Sequence, residues 1–161
     1  MLGNHDLSAS RDPFSQPLGE YDLGGATLLT DEGRTLELRG RRVQVVGIDP
    51  RSHRRRRIQP QRLADPAADL RILLCHFPEV IDKLEPGVFD LVLTGHLHAG
   101  QICLPWLGGK LRLAHVHWTY VEGLYRRPAG VMHVSAGLGT TFVPFRFLAR
   151  PEATELALQS A

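Results

Sequence analysis

Two short apolar runs, Leu70 to Cys75 and Phe89 to Leu93, constrain the fold of this chain more than any other feature. Each has the length of a buried strand and lacks the polar alternation of a half-exposed one. Between them Glu79 to Leu84 carries apolar residues at helical spacing, and Pro86-Gly87 stops it. Strand, helix and strand in this order predict a βαβ-like unit in a sheet covered by helices on its faces. The first run ends at His76 and the second at Thr94-Gly95-His96. Both therefore deliver a histidine at a strand's C-terminal end, the edge where α/β sheets gather ligands and catalytic groups.

The remainder supplies further strands. Ala26 to Thr30 and Thr35 to Leu38 read as half-buried strands joined by the turn Asp31-Glu32-Gly33-Arg34. Gly40 punctuates, and Val43 to Ile48 reads as a third, more buried strand. The proline-bearing tract Arg51 to Pro66, with its run Arg54 to Arg57, reads as a solvated loop with room for one short helix. Val131 to Val134 and Ala153 to Leu158 read as two more strands, with the aromatic residues Phe142, Phe145 and Phe147 expected in the core. Between them Gly137-Leu138-Gly139 reads as a tight turn beneath the histidine loops; it has neither the lysine nor the spacing of a P-loop. No repeat or linker divides the 161 residues, so an α/β fold in one domain is expected.

Composition excludes several classes. With 43% hydrophobic and 22% charged residues and no long apolar run, the chain matches a globular protein and not a membrane span or a disordered segment. A net charge of +2 is too mild to argue for nucleic acid, and the arginine run has no aromatic residues interleaved, so a nucleic-acid partner is not expected. The two cysteines, Cys75 and Cys103, lie in apolar stretches without a second thiol at ligand or redox spacing and read as reduced core thiols. A serine hydrolase is disfavoured because no Gly-x-Ser-x-Gly occurs. The first residues carry no targeting signal, which leaves cytoplasm and membrane surface both open.

His96-Leu97-His98, bracketed by Gly95 and Gly100, leaves a strand in a segment suited to presenting side chains. Two imidazoles two residues apart can address one transition-metal ion or two neighbouring ions. His115 and His117 alternate beside Trp118 on what reads as a partly exposed strand face, and His133 reads as a structural histidine within a strand.

Gly3-Asn4-His5-Asp6, His76 after its strand, and Gly95-His96-Leu97-His98-Ala99-Gly100-Gln101 resemble, in order and context, the last three motifs of the calcineurin-like metallophosphoesterases. The resemblance continues through Glu122 to Arg126, Val134 to Thr140 and Arg150-Pro151-Glu152, similar to the bacterial branch with membrane- and wall-associated phosphodiesterases. It implies an α/β/β/α sandwich that hydrolyses a phosphodiester or phosphomonoester with water activated by two divalent ions, Mn, Fe or Zn. It assigns Asn4, His76 and His96 to one metal and His98 to the other. His5 becomes the group that stabilises the phosphoryl group and protonates the leaving oxygen, with Asp6 orienting its ring. The implied partner is a small phosphate ester or a lipid-linked substrate, and a close variant is a pyrophosphatase acting on a nucleotide-linked lipid precursor.

The family's first two motifs, an Asp-x-His and a Gly-Asp-x-x-Asp, do not occur ahead of Gly3. The expectation is therefore a sandwich truncated at its N-terminus, residues 1–161 forming the C-terminal part of one domain. Relatives often carry a membrane anchor or export signal upstream. The competing expectation is a catalytically impaired chain that binds one metal or none.

Overall fold

A computed structural model describes residues 1–7, 12–13 and 25–159. Its centre is a mixed six-stranded sheet in the order β1-β2-β3-β4-β8-β7. The strands are β1 (Glu32–Leu38), β2 (Arg41–Gly47), β3 (Leu70–Leu74), β4 (Leu91–Thr94), β7 (Gly123–Arg127) and β8 (Gly130–Val134). Strands β2, β3, β4 and β8 run parallel; β1 and β7 close the two edges antiparallel. A separate hairpin pairs β5 (Cys103–Trp106) with β6 (Gly109–Arg112).

The parallel centre is what the two apolar runs predicted. The matched pairs Gly47↔Leu74, Leu74↔Leu93 and Thr94↔Val134 end the four strands nearly level. Residues following them, including Asp49, His76, His96 and Ser135, therefore emerge along one edge.

One face of this sheet is fully buried. Val46, Leu73, Val92 and Met132 share it by register, and the cluster they belong to includes Ile48, Cys75, Val134, Phe89, Val80 and Ile81. The opposite face carries Val45, Ile72, Leu74, Leu93 and Val131, each only partly covered by the described residues. Both cysteines are buried and free, as their apolar context predicted. No helix among the described residues is long and apolar enough to cross a membrane.

Several expectations change. Residues 26–30 form no strand; the first hairpin turns at Arg39-Gly40, where both residues are left-handed at φ 52° and 72°, so the predicted turn residues 32–34 lie inside β1. Gly40 supplied the stronger signal, because the left-handed region carries no penalty there. The expected helix over 79–84 is a 3-10 segment, Pro78–Lys83, started by Pro78 and too short for α-helical hydrogen bonding to dominate. The arginine tract holds a five-residue helix, α1 (Pro50–Arg54), capped by the Asp49 carboxylate on the Arg51 N–H, and a 3-10 turn, Pro60–Leu63. Residues 153–158 are exposed and without a strand partner among the described residues, and His115 and His117 lie in irregular backbone. Phe142, Phe145 and Phe147 are exposed, because the 139–148 segment lies over the histidine loops at the surface.

Candidate metal centre

Three donor atoms converge at the level edge of the sheet. Asn4 Oδ1 lies 2.5 Å from His76 Nε2 and 3.2 Å from His96 Nδ1, and the two imidazole nitrogens are 3.0 Å apart. Ligands that share one ion at about 2.0–2.2 Å stand roughly 3–3.5 Å from one another; the two separations from His96 match this, and the shorter Asn4–His76 one would open by about half an ångström around a divalent cation. Among the described residues no three His, Cys, Asp or Glu side chains gather in this way; the third donor is the Asn4 amide. Gly3 allows the close approach, since a Cβ there would stand 3.1 Å from His76 Cε1.

The surroundings hold both imidazoles neutral. Burial pushes His76 down to about 4, and burial followed by the neighbouring His76 pushes His96 down to about 3. Neutral imidazole is the metal-binding form. Phe77 packs edge-on against both rings at 5.0 and 4.7 Å, and Trp118 packs edge-on against His96 at 5.6 Å.

The loop after β4 stores backbone strain. His96, His98, Ala99 and Gln101 all have left-handed φ, at 80°, 48°, 55° and 47°, beside Gly100 at 80°. Each such non-glycine residue costs about 1–3 kcal/mol and persists only where neighbours fix it. Gln101 is one fixing group: its Nε2 donates to Thr141 O at 2.8 Å and Val143 O at 3.1 Å, and its Oε1 accepts the Thr141 N–H at 2.8 Å. The same Oε1 lies 3.1 Å from His98 Nδ1, which places the His98 proton on Nδ1 and leaves Nε2 as the open donor. Arg146 is the second: its guanidinium donates to Ala136 O at 2.7 Å and Gly139 O at 2.6 Å and reaches His98 O at 3.5 Å. The glycine-rich turn thus packs against the histidine loop as read from sequence.

His5 and Asp6 are placed differently from each other. The Asp6 carboxylate accepts the Gly3 N–H at 2.7 Å and closes the turn that presents Asn4. The carboxylate found at His5 Nδ1, 3.3 Å away, belongs to Asp12, which is buried and also accepts from Thr141 Oγ1 at 2.9 Å and the Phe142 N–H at 3.0 Å. Thr141 Oγ1 faces His5 Nε2 at 3.1 Å. Asp12 was not singled out from sequence, and Gln101 entered only as the last residue of the Gly95–Gln101 motif, without a role; its signal was that of a lone amide inside an apolar stretch.

Asn4, His5 and His96 open on a cavity of about 590 Å³ whose other walls include Arg54, His115 and Phe142. His115 is left-handed at φ 57°, and its Nε2 is buried without a hydrogen-bond partner among the described residues.

Comparison with known proteins agrees with this chemistry. The chain is 32% identical over 163 residues to the uncharacterized metallophosphoesterase YkuE of Bacillus subtilis, covering 99% of this chain and 55% of that protein. It is 34% identical to an uncharacterized metallophosphoesterase of Helicobacter pylori strain J99, over 97% of this chain and 41% of the relative. It is 27% identical to phosphodiesterase YaeI of Escherichia coli, over 98% and 56% respectively. The chain thus spans about half the length of the curated relatives it matches. No family model matches the sequence, and no solved structure matches it. These relatives, together with the donor set and its strand-end placement, support the chain's membership of the metallophosphoesterase family.

Proposed function

We propose that the chain carries the C-terminal half of a phosphoesterase active site, acting on a phosphodiester or phosphomonoester of a small molecule. The observation that carries this reading is the convergence of Asn4 Oδ1, His76 Nε2 and His96 Nδ1 on one point. These three would hold one divalent ion, and His98 Nε2, freed by Gln101, would contribute to a second. Two such ions supply Lewis acidity toward phosphoryl oxygens and a water of lowered pKa.

The remaining steps belong to the chain. Asn4 contributes an oxygen without negative charge, which favours an anionic substrate. His5 faces the same cavity and donates a proton to the departing oxygen, which takes the place of Thr141 Oγ1 at Nε2. Asp12 orients that ring through Nδ1, and Asp6 holds the turn that carries both Asn4 and His5. Phe142 at the rim suits an apolar substituent on the ester. The half-covered sheet face around Ile72, Leu74 and Leu93 supports a second sheet packing there, giving the α/β/β/α sandwich with residues 1–161 as one part of the domain.

The test is manganese-dependent release of nitrophenolate from bis(p-nitrophenyl) phosphate. Turnover that disappears in His96→Ala supports the reading. One observation favours a second reading: among the described residues the converged cluster contains no carboxylate, which fits a chain that by itself holds one ion and turns nothing over. Metal binding in a folded chain without turnover would select it.

A further inference from the structure

The 590 Å³ cavity does not end at Asn4. A second cavity, of about 180 Å³, adjoins it and shares two wall residues, Asn4 and Arg54; its other walls are Leu7, Pro50, Arg51 and Arg55. Three arginines thus border a small space with no carboxylate among the described residues on its walls. Arg51 is already neutralised, donating to Asp49 Oδ2 at 2.7 Å, while Arg54 and Arg55 have no ion-pair partner among the described residues. On its other side Arg55 shares a cavity wall with Asp31 and Asp49, which accept from the Asp49 N–H at 2.9 Å and from Arg51 respectively and form no ion pair with Arg55.

Arg54 is also placed. Its guanidinium carbon lies 5.2 Å from the centroid of Phe77, the ring that packs against both His76 and His96. A cation held on an aromatic face in this way loses less freedom when it meets an anion. The group stands at the junction of the two cavities, with one open to the converged donors and the other to Arg55.

We propose that Arg54 and Arg55 form an anion subsite beside the Asn4, His76 and His96 cluster, so that the substrate carries a second anionic group next to the phosphoryl group attacked. The ligand class is a phosphate ester bearing an adjacent phosphate or carboxylate, with a diphosphate as the most compact member. This assignment rests on the phosphoesterase reading for what happens at Asn4 and His96, but the arginine subsite can be tested separately. Two uncompensated guanidinium groups give charge-assisted, bidentate bonds to such a group, each strong enough for about a tenfold effect on affinity.

The experiment is calorimetric binding of methylenediphosphonate, phosphonoacetate and inorganic phosphate to the 161-residue chain, with and without Mn²⁺. The expected result is at least about tenfold preference for methylenediphosphonate over phosphate. Arg54→Gln combined with Arg55→Gln erases that preference, Arg56→Gln retains it, and His96→Ala weakens all ligands while keeping it. Phosphonoacetate matching methylenediphosphonate identifies a general anion subsite; phosphonoacetate matching phosphate identifies one for a second phosphate. Equal affinity for all three ligands, no detectable binding, or the same loss in Arg56→Gln overturns the proposal. A wild-type preference that survives without Mn²⁺ and disappears in the double variant upholds the subsite even where nitrophenolate release fails.

Discussion

Replacing Gln101 by Ala tests how the strained histidine loop is held. The side chain is 2% exposed and makes four hydrogen bonds, to Thr141 O, Val143 O, the Thr141 N–H and His98 Nδ1. At about 1 kcal/mol each, reduced where water reaches the 141–143 carbonyls, the loss is about 2–4 kcal/mol. The left-handed φ of 47° stays costly with Ala, so nothing offsets it. With a urea slope of about 2 kcal/mol per molar, the unfolding midpoint falls by about 1–2 M. The same change frees the His98 ring, and loss of such an orienting bond weakens binding at the second, His98 site by about 10–100-fold while the Asn4, His76 and His96 site is unchanged. Gln101→Glu separates the effects: it keeps an oxygen toward His98 Nδ1 and sets the other against two carbonyls, so stability falls with a smaller loss of affinity. Urea unfolding followed by circular dichroism, with Mn²⁺ titration of each variant, reads both quantities. A midpoint within 0.3 M of the parent, estimated on the same urea slope, together with unchanged affinity would refute the reasoning.

Other expectations follow from the same geometry. His76 and His96 are held at about 4 and 3, below the ordinary value of 6.5, so the unfolded chain binds more protons between those limits. The stability of the metal-free chain is therefore full above about pH 6.5, declines as pH falls from there to about 4 and 3, and levels off below, and His76→Phe reduces that decline in urea midpoints measured across the range. Burial pushes the Cys75 thiol up to about 12, and Cys103 is buried as well, so neither reacts with Ellman's reagent until urea unfolds the chain; rapid native labelling contradicts the core packing. Gly130 sits at φ 144° with its missing Cβ directed at the Phe89 carbonyl, so Gly130→Ala lowers the melting temperature by several degrees, whereas Gly108→Ala, in open space at φ 77°, costs only its backbone strain.

The legible parts of the sequence were those governed by local signals. Continuous apolar runs at 70–75 and 89–93 marked the parallel centre because one of their faces is fully buried and the other is apolar and partly covered, which leaves no polar alternation. The strand-end histidines were legible for the same reason: once the strands are fixed, register carries His76 and His96 to one edge. The first hairpin was misplaced because Asp31 to Arg34 carries turn residues, and only pairing with β2 shows that the bend belongs at Gly40. The aromatic residues 142–147 carry no periodicity, and their exposure follows from Gln101 and Arg146 tying that segment over the histidine loop. Asp12 is held by Thr141, 129 positions away in sequence, a contact that no local pattern announces.

The most direct measurement is Mn²⁺ binding to the chain by calorimetry, comparing Asn4→Ala, His76→Ala, His96→Ala and His98→Ala. The account predicts that the first three variants each weaken the same tight site, because their donor atoms meet within 2.5–3.2 Å of one another, while His98→Ala leaves that site largely intact. Binding that survives His96→Ala, or that is lost only in His98→Ala, would contradict it.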